Sequence, residues 1–304
     1  QSMPTARDPW VIIQMAPSVI IDRENVGGNE PGHQSLFVSR GAPGRNDNSF
    51  VMDGIDIQAP NSPGSSTIYF DMDAFEEMSI VTGGSDVTVQ TGGVHVNMVT
   101  RRGGNKLTLG GRYFLADKSF QASNVTEELL SEGLPGINRI RRNQDWGFNL
   151  GIPLIQNKAW FWGSYGVGDV KTDTIFSQPD DTTMTNVSAK LNIQFVPENR
   201  LEIYIAGADK YKYGGGQSSS NPTGIIQQSI KSFGVPIFKI QDEHTFGDNL
   251  YLNFKYGWSD TSGGHVQVMD PFRTNLAIWD NTDERWYGSA SVWQNQGTYH
   301  QLHF

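Results

Sequence analysis

Four carboxylates between positions 71 and 77 form the densest group of potentially reactive side chains in this sequence. Asp71, Asp73, Glu76 and Glu77 could bind calcium through oxygen ligands or supply a general acid and base. The same four residues also suit the first turn of a helix, where negative charge is stabilising. We favour the helix interpretation.

Other groups that could do chemistry are scattered or missing. The six histidines are far apart except for His300 and His303, and residues three apart on a strand face opposite sides, so a shared metal ion is not expected there. The chain has no cysteine, which excludes a thiol nucleophile and a cysteine-based metal site. It also lacks a nucleophile elbow and a phosphate-binding loop. We therefore expect no catalytic residues, no metal and no cofactor.

The composition favours a β protein that does not bind nucleic acid. The chain has 304 residues with 23 basic and 32 acidic side chains, and its net charge is -9. No basic stripe is present for phosphate contacts, so nucleic acid is not an expected partner. Glycine is frequent at 34 residues and charged residues make up only 18%. No apolar run is long enough for a membrane-spanning helix.

The first hundred residues predict a small α+β unit rich in loops. A short helix is expected between Pro9 and Pro17, because proline suits a first helical turn and a later proline ends the run. Brief apolar runs follow at 19–21, 35–38, 49–52 and 78–81, separated by glycine-containing turns.

From Lys106 onward, apolar and polar residues alternate in long segments, the pattern of strands with one apolar and one polar face. The predicted strands are 106–116, 145–153, 159–169, 185–195, 201–210, 237–246, 250–259 and 285–295.

Connection lengths separate two all-β architectures. The connections at 153–158, 196–200 and 247–249 are tight, whereas those at 117–144, 171–184, 211–236 and 260–284 are long. Outer-membrane barrels sort short turns to the periplasm and long loops to the outside, and a soluble sandwich has no reason to do so. Aromatic residues beside the first tight turn would then belong to the periplasmic aromatic girdle: Trp160, Phe161, Trp162 and Tyr165.

Several short motifs resemble the plug domain of TonB-dependent outer-membrane transporters, in particular the Oar-like branch of that family. The motifs are, in order, Phe37-Val38-Ser39-Arg40-Gly41, Phe50-Val51-Met52-Asp53-Gly54-Ile55, Phe75 to Gly84, and Gly92-Gly93-Val94-His95-Val96-Asn97-Met98-Val99-Thr100-Arg101-Arg102-Gly103. The last motif is similar to the family's exit from plug to barrel.

The resemblance implies a fold and a domain division. We expect a TonB-dependent receptor plug domain at 1–104 and a partial outer-membrane β-barrel at 105–304, in the outer membrane of a Gram-negative bacterium. About eight strands cannot enclose such a plug, since plugged lumens belong to 22-stranded barrels, so we expect a fragment of a larger barrel. We also expect structural roles for Arg40, Gly41, Asp53, Gly54, Gly92, Gly93, Asn97 and Thr100, with Arg40 and Asp53 paired.

The resemblance further implies uptake of a scarce small ligand, with the plug as a gate that is energised by TonB through a segment not in this chain. Outer-membrane lipid would surround the barrel. The plug loops at 27–34 and 58–67 would face the ligand, and their candidate binding residues are His33, Gln34, Asn61, Ser62 and Ser66.

Two alternatives from other classes are open. One is an outer-membrane adhesion or secretion-associated surface protein that transports nothing. The other is a secreted carbohydrate-active β enzyme, which would need two carboxylates about 5–10 Å apart in a cleft.

Overall fold

A computed structural model provides the structure of the chain. It describes residues 9–21, 34–35, 37–39, 47–58, 64–66, 68–83, 92–123, 125–134, 136–175, 178–214, 225–231, 237–260, 263–268, 278–282, 285–287, 291–295 and 297–304. Within these ranges, no helix is both long enough and apolar enough to cross a bilayer.

The N-terminal unit, called the plug below, is built from one short helix, short strands and a 3-10 turn. The elements are α1 (Pro9–Gln14), β1 (Val19–Ile21), β2 (Phe37–Ser39), β3 (Ser49–Met52), β4 (Ile55–Asp56), the 3-10 turn Met72–Ala74, β5 (Phe75–Val81) and β6 (His95–Thr100). Strands β1 and β2 pair with each other, and the other four form a sheet in the order β4-β3-β6-β5. The predicted helix and the predicted apolar runs are confirmed.

An apolar core holds the plug together. Phe50 on β3 is fully buried, and its ring meets those of Trp10 and Phe37 edge-on at centroid distances of 5.4 and 5.9 Å. These contacts join α1 and β2 to the central sheet. Burying large aromatic side chains is a major source of stability, so these rings hold the plug together. Val96 and Met98 add the inward side of β6.

The rest of the chain is dominated by long antiparallel strands. They are β7 (Thr108–Asp117), β8 (Arg139–Ile155), β9 (Ala159–Asp173), β10 (Pro179–Val196), β11 (Asn199–Gly214), β12 (Ile225–Lys231), β13 (Ile237–Phe246), β14 (Leu250–Asp260), β15 (Gly263–Val268), β16 (Ile278–Asp280), β17 (Arg285–Tyr287), β18 (Ser291–Asn295) and β19 (Thr298–His303). A 3-10 turn (Lys118–Phe120) and helix α2 (Glu127–Ser131) lie between β7 and β8.

One antiparallel sheet contains most of these strands. It runs through eight of them in the order β18-β15-β12-β11-β10-β9-β8-β7, and β13, β14 and β19 join it through β11. Strand β11 has two partners on one edge: residues 199–206 pair with β13, whereas residues 209–213 pair with β12. Strand pairing therefore continues into the connection between β11 and β13, where β12 lies.

The two faces of this sheet have opposite character. The face that meets the plug, called the inner face, buries polar residues such as Ser188, Lys190 and Asn192, at alternate positions of β10. The outer face exposes large apolar residues, among them Leu109, Phe148 and Phe195. A polar inside and an apolar outside suit a barrel wall surrounded by lipid.

Strand ends differ from the sequence-based prediction at the side opposite the tight turns. The tight connections predicted at 153–158, 196–200 and 247–249 are confirmed as turns at 156–158, 197–198 and 247–249. The predicted long loop at 171–184 is wrong, because β9 extends to Asp173 and β10 begins at Pro179. The predicted strand at 285–295 is replaced by β17 and β18. Where polar residues lie on both faces of a strand, apolar and polar residues do not alternate, so the sequence pattern does not predict the strand.

The carboxylate cluster does not begin a helix. Asp71 caps a single 3-10 turn by accepting a hydrogen bond from the backbone N–H of Asp73, at 3.0 Å. Strand β5 follows at once, so Glu76 and Glu77 lie exposed on a strand. The helix prediction at this cluster is therefore wrong.

The aromatic girdle is also corrected. Trp162 is only 3% exposed and belongs to the inner face, and the indole N–H of Trp160 donates to Asn105 Oδ1 at 2.8 Å. Tyr165 lies on the outer face, where its ring packs beside Trp146 and Phe148.

Candidate functional site: the contact between plug and barrel wall

A tight turn on the plug carries the first contact with the barrel wall. Asp53 and Gly54 link β3 to β4 with φ values of 46° and 75°. Positive φ at both central residues is the geometry of a type I′ hairpin turn, which favours Asp-Gly. The Asp53 carboxylate accepts hydrogen bonds from the backbone N–H of Thr100 at 3.0 Å and from the Thr100 hydroxyl. The turn is thereby fixed to the end of β6.

Lys190 joins this turn to the wall. Its ammonium lies 2.8 Å from the Asp53 carboxylate and 3.4 Å from Glu202, and it also donates to the backbone oxygen of Thr100 at 3.3 Å. The side chains of Lys190 and Asp53 are only 3% and 6% exposed. The ion pair between plug and wall is therefore almost fully buried.

Glu202 extends the same network across three strands of the wall. Its carboxylate lies 2.8 Å from Lys239 on β13 and accepts a hydrogen bond from the Asn192 amide on β10 at 3.0 Å. Arg200 on β11 is a further cationic neighbour at 3.6 Å. Because buried charges are stable only when paired and hydrogen-bonded, each member of this group depends on the others.

A second ionic contact joins the plug to β7 and β8 of the wall. Arg112 on β7 binds the plug carboxylates Asp71 and Asp73 at 2.7 and 2.6 Å, and it also binds Asp145 on β8. Its side chain is 8% exposed. Burial raises the pKa of Asp71, and the Arg112 guanidinium opposes this shift.

Glycines on the inner face make room for this second contact. A Cβ placed on Gly166 would lie 2.2 Å from the Asp71 carboxylate, and one on Gly147 would lie 2.7 Å from the Arg112 guanidinium. A third inner-face glycine, Gly257 on β14, would meet Ile55 of the plug at 2.8 Å. At Gly166 and Gly257 the space of the absent side chain is a socket that a plug residue fills, whereas at Gly147 this space is taken by Arg112 of the wall.

We expect Gly166→Ala to loosen the plug at the Arg112 contact, because the added methyl group occupies the position of the Asp71 carboxylate. Gly168→Ala is the matched control, since its Cβ would find only Asp145 at 3.9 Å. Overpacking of this kind costs about 1–3 kcal/mol. Hydrogen exchange of the turn at 71–74 in the full-length protein is expected to rise for Gly166→Ala alone, and equal exchange in both variants would contradict the socket.

An apolar contact, called the apolar seat below, joins the plug to β11 and β13 of the wall. Tyr204 and Ala206 on β11 and Ile237 on β13 are at most 4% exposed and belong to the same hydrophobic cluster as the plug core. Two further polar contacts surround the seat. Lys210 donates to the Tyr69 hydroxyl at 3.1 Å, and the Asp56 N–H donates to the Gln301 side chain at 2.7 Å.

Asn105 fixes the connection between plug and barrel. Its side-chain oxygen accepts hydrogen bonds from the Asn157 N–H at 2.9 Å and from the Trp160 indole, and its amide donates to Asn157 Oδ1 at 2.6 Å. Asn157 holds a positive φ of 61° in this turn. Just upstream, a Cβ on Gly103 would lie 2.4 Å from the Phe161 carbonyl oxygen, so the chain passes directly against β9.

We expect Asn105→Ala to free this connection, because it removes three side-chain hydrogen bonds. Each bond contributes at most about 0.5–1.5 kcal/mol to the stability of the connection, since the site is exposed. Trypsin cleavage after Arg101, Arg102 and Lys106 in the full-length protein should become faster. Asn105→Asp keeps the acceptor for Asn157 and Trp160 and should cleave at an intermediate rate. A cleavage rate unchanged by Asn105→Ala would show that the backbone contacts alone hold the segment.

Two of the predicted ligand-binding residues meet each other in the structure. The Gln34 amide donates to the Ser66 carbonyl oxygen and accepts from the Ser66 N–H, both at 2.8 Å. Ser66 is 4% exposed, and its hydroxyl accepts from Ile68 N at 3.4 Å. The pair links the two plug loops. His33, Asn61 and Ser62 lie outside the described residues.

The predicted structural residues differ in where the structure places them. Asp53, Gly54 and Thr100 form the turn contact given above. Gly93 is buried where a Cβ would lie 2.4 Å from the Asp47 carbonyl oxygen, whereas Gly92 is exposed and open. Asn97 lies half-buried on β6, opposite Val51 and Ser79. Arg40 and Gly41 lie outside the described residues, so the pairing of Arg40 with Asp53 stays a prediction.

Sequence reasoning missed the wall residues Arg112, Lys190, Glu202 and Lys239. All four are charged residues on the polar side of alternating strands, and that pattern was available. The pattern gives the face on which a residue lies, but it does not give its partner across the sheet.

Comparison with protein families shows which known domain the N-terminal residues are similar to. Residues 2–95 match the family model described as TonB-dependent Receptor Plug Domain. These residues are similar to the plug domain of TonB-dependent receptors. The TonB-dependent transporter Oar of Myxococcus xanthus is 28% identical over 123 residues, which are 39% of this chain and 11% of that protein. The predicted resemblance to the Oar-like branch is confirmed.

Solved structures of similar fold include a siderophore receptor and an outer-membrane transporter, both longer than this chain. The siderophore receptor PirA of Acinetobacter baumannii matches with a TM-score of 0.65 at 12% identity, over 99% of this chain and 43% of that one. The outer-membrane transporter YddB of Escherichia coli matches with a TM-score of 0.65 at 12% identity, over 86% of this chain and 38% of that one. This chain therefore spans less than half the length of these receptors.

The plug-plus-barrel fold class and the outer-membrane location predicted from the sequence are confirmed. The family consists of receptors and transporters, which are not enzymes. The domain boundaries at 104 and 105 stay a prediction.

Proposed function

We propose that this receptor takes up a scarce ligand across the outer membrane, with the plug as a gate that TonB opens. The buried ion pair between Lys190 and Asp53 carries the proposal. It is a strong contact while water is excluded and a weak one once water enters, because Coulomb attraction falls steeply as the effective dielectric constant rises. A gate needs a contact with two such states.

The space beside this ion pair supports the proposal. A cavity of about 530 Å³ lies between the plug and the wall. Charged side chains line it on both sides, with Glu76, Glu77 and Arg102 on the plug side and Arg200, Glu243 and Lys255 on the wall side. Water that enters this cavity reaches the ionic contact, so a small displacement of the plug lets its charges become hydrated instead of unpaired.

The loops joined by Gln34 and Ser66 are our proposed ligand-binding surface, together with His33, Asn61 and Ser62. The exchanged pair of hydrogen bonds supports this assignment, since it holds two loops in one fixed arrangement. A fixed arrangement lowers the entropy cost of binding.

The test is accumulation of a ligand in cells that make the full-length protein. A panel of radiolabelled ferric siderophores, cobalamin, oligosaccharides and peptides is offered to cells with the protein, cells without it, and cells that lack TonB. We expect one ligand class to accumulate only when both the protein and TonB are present. Binding to the cell surface that needs the protein but not TonB, without accumulation, would overturn uptake and favour the adhesion alternative.

A further inference from the structure

Lys255 on β14 is a cation of the inner face that lacks a carboxylate partner. Its ammonium donates to the Gly54 backbone oxygen at 3.4 Å, and it forms no ion pair with any residue that the structure describes. A Cβ placed on Gly54 would lie only 2.1 Å from the Lys255 Nζ. The glycine therefore lets the ammonium lie against the tip of the plug turn that Asp53 and Gly54 form.

The closed contact alone does not account for this lysine. The charged groups close enough to act on it are Lys239, Asp53, Glu243 and Glu202. Lys239 repels it, and Asp53 and Glu202 already bind other lysines. A half-buried cation without a partner destabilises the arrangement in which it lies, because it has lost part of its hydration. The lysine becomes stabilising only in a second arrangement of the plug, in which a carboxylate reaches it.

Two lysines approach the same plug turn from two different strands. Lys190 on β10 binds the Asp53 carboxylate at 2.8 Å, whereas Lys255 reaches Gly54 from β14. Strands β11 and β13 lie between them, which separates the two backbones by about 14 Å. Asp53 and both lysines line the cavity of about 530 Å³, so open space connects them. Adjacent Cα atoms are about 3.8 Å apart, and a plug shift of about this length places the Asp53 carboxylate beside Lys255.

Such a shift leaves no charge of the network without a partner. Lys190 keeps Glu202, which already lies 3.4 Å from its ammonium. Glu202 keeps Lys239 at 2.8 Å. The Asp53 carboxylate exchanges one lysine for another, and Lys255 gains the partner that it lacks in the closed arrangement. Because unpaired charges away from water are costly, a path that keeps every charge paired has a lower barrier than one that breaks a pair.

We propose that Lys255 is a positioning residue of the gate, which receives the Asp53 carboxylate from Lys190 when the plug moves. The displaced plug then has an ion pair of its own. This inference rests on the proposed function, since it specifies how the gate is held in its second position. It also gives the two lysines opposite effects, because Lys190 stabilises the closed plug and Lys255 stabilises the displaced one.

The experiment measures hydrogen exchange of the Thr100 amide in full-length Lys255→Met. This N–H donates to the Asp53 carboxylate at 3.0 Å, so it is released when Asp53 moves away. We expect exchange about tenfold slower than in the unaltered protein, because the displaced plug loses its ion pair and is populated less. A lysine that only held the turn through the Gly54 oxygen would give faster exchange when removed. Faster or unchanged exchange would therefore overturn the proposal.

Two further variants show that the charge is responsible. Lys255→Arg keeps a cation at the turn and should exchange at nearly the unaltered rate, whereas slow exchange in this variant would contradict a role for the charge. Lys158→Met removes an exposed lysine of a tight turn and should change nothing.

This measurement needs neither ligand nor TonB, so it is separate from the test of uptake. Slower exchange in Lys255→Met without ligand accumulation in cells would support two plug positions and reject uptake. TonB-dependent accumulation with unchanged exchange would support uptake and reject the role of Lys255.

Discussion

Replacing Lys190 by Met is expected to release the plug from the wall while the barrel stays folded. The substitution keeps most of the side-chain volume, but it leaves the Asp53 carboxylate without its counter-ion. The Asp53 side chain is only 6% exposed. Removing one partner of a buried ion pair costs about 3–5 kcal/mol. The population of released plug should therefore rise about a hundredfold or more. In cells, the measurement is entry of a large antibiotic that the outer membrane normally excludes.

Two controls separate this effect from a general loss of charge. Lys158→Met removes an exposed lysine of the turn at 156–158 and should not change antibiotic entry. Adding Asp53→Asn to Lys190→Met removes the orphaned charge and should recover part of the closure, since residues in direct contact are energetically coupled. If Lys190→Met cells exclude the antibiotic as well as unaltered cells do, the apolar seat alone holds the plug.

Phe50→Ala is expected to unfold the plug itself. The ring is fully buried between Trp10 and Phe37, and removing a buried phenylalanine costs about 3–5 kcal/mol because a cavity adds to the lost apolar contact. A unit of this size has only a few kcal/mol more than that to lose. Hydrogen exchange in the full-length protein should show loss of protection in β3 and β6, with β8 to β10 unchanged.

Val99→Ala is the matched control on the same sheet. Val99 lies on β6 but is 37% exposed, so the change should leave exchange nearly as it was. The two large effects also differ from each other. Lys190→Met should raise exchange only at the plug surface that meets the wall, whereas Phe50→Ala should raise it throughout the plug. Protected β3 and β6 amides in Phe50→Ala would contradict the central role of this ring.

Much of the wall could be predicted because lipid on one side and a polar interior on the other impose an alternation of period two. Val187, Ala189 and Leu191 on β10 show it clearly, with Lys190 between them. Alternation fails where the wall rises out of the lipid. Asp169, Lys171 and Asp173 place charged side chains on the outer face of β9, where apolar residues lie in the earlier part of the strand, so the sequence no longer shows an apolar outer face here.

The contact between plug and wall could be predicted only in part. The Asp-Gly pair predicts a turn, and the motif around Thr100 was visible, since both depend on local geometry. The partnership of Asp53 with Lys190 joins residues 137 positions apart. It depends on how the plug is rotated within the wall, and no local pattern in the sequence encodes that rotation.

The glycine sockets at 166 and 257, which Asp71 and Ile55 of the plug fill, limit how freely receptor modules can be exchanged. A plug from another receptor would have its projecting side chains at other positions. Some of them would collide with side chains of this wall, and the space beside the wall glycines would stay empty. Recombination between receptors should therefore preserve the plug together with the strands that face it. Loops outside the membrane have no such constraint and can vary alone. Ligand recognition can therefore change while the contact between plug and wall is conserved.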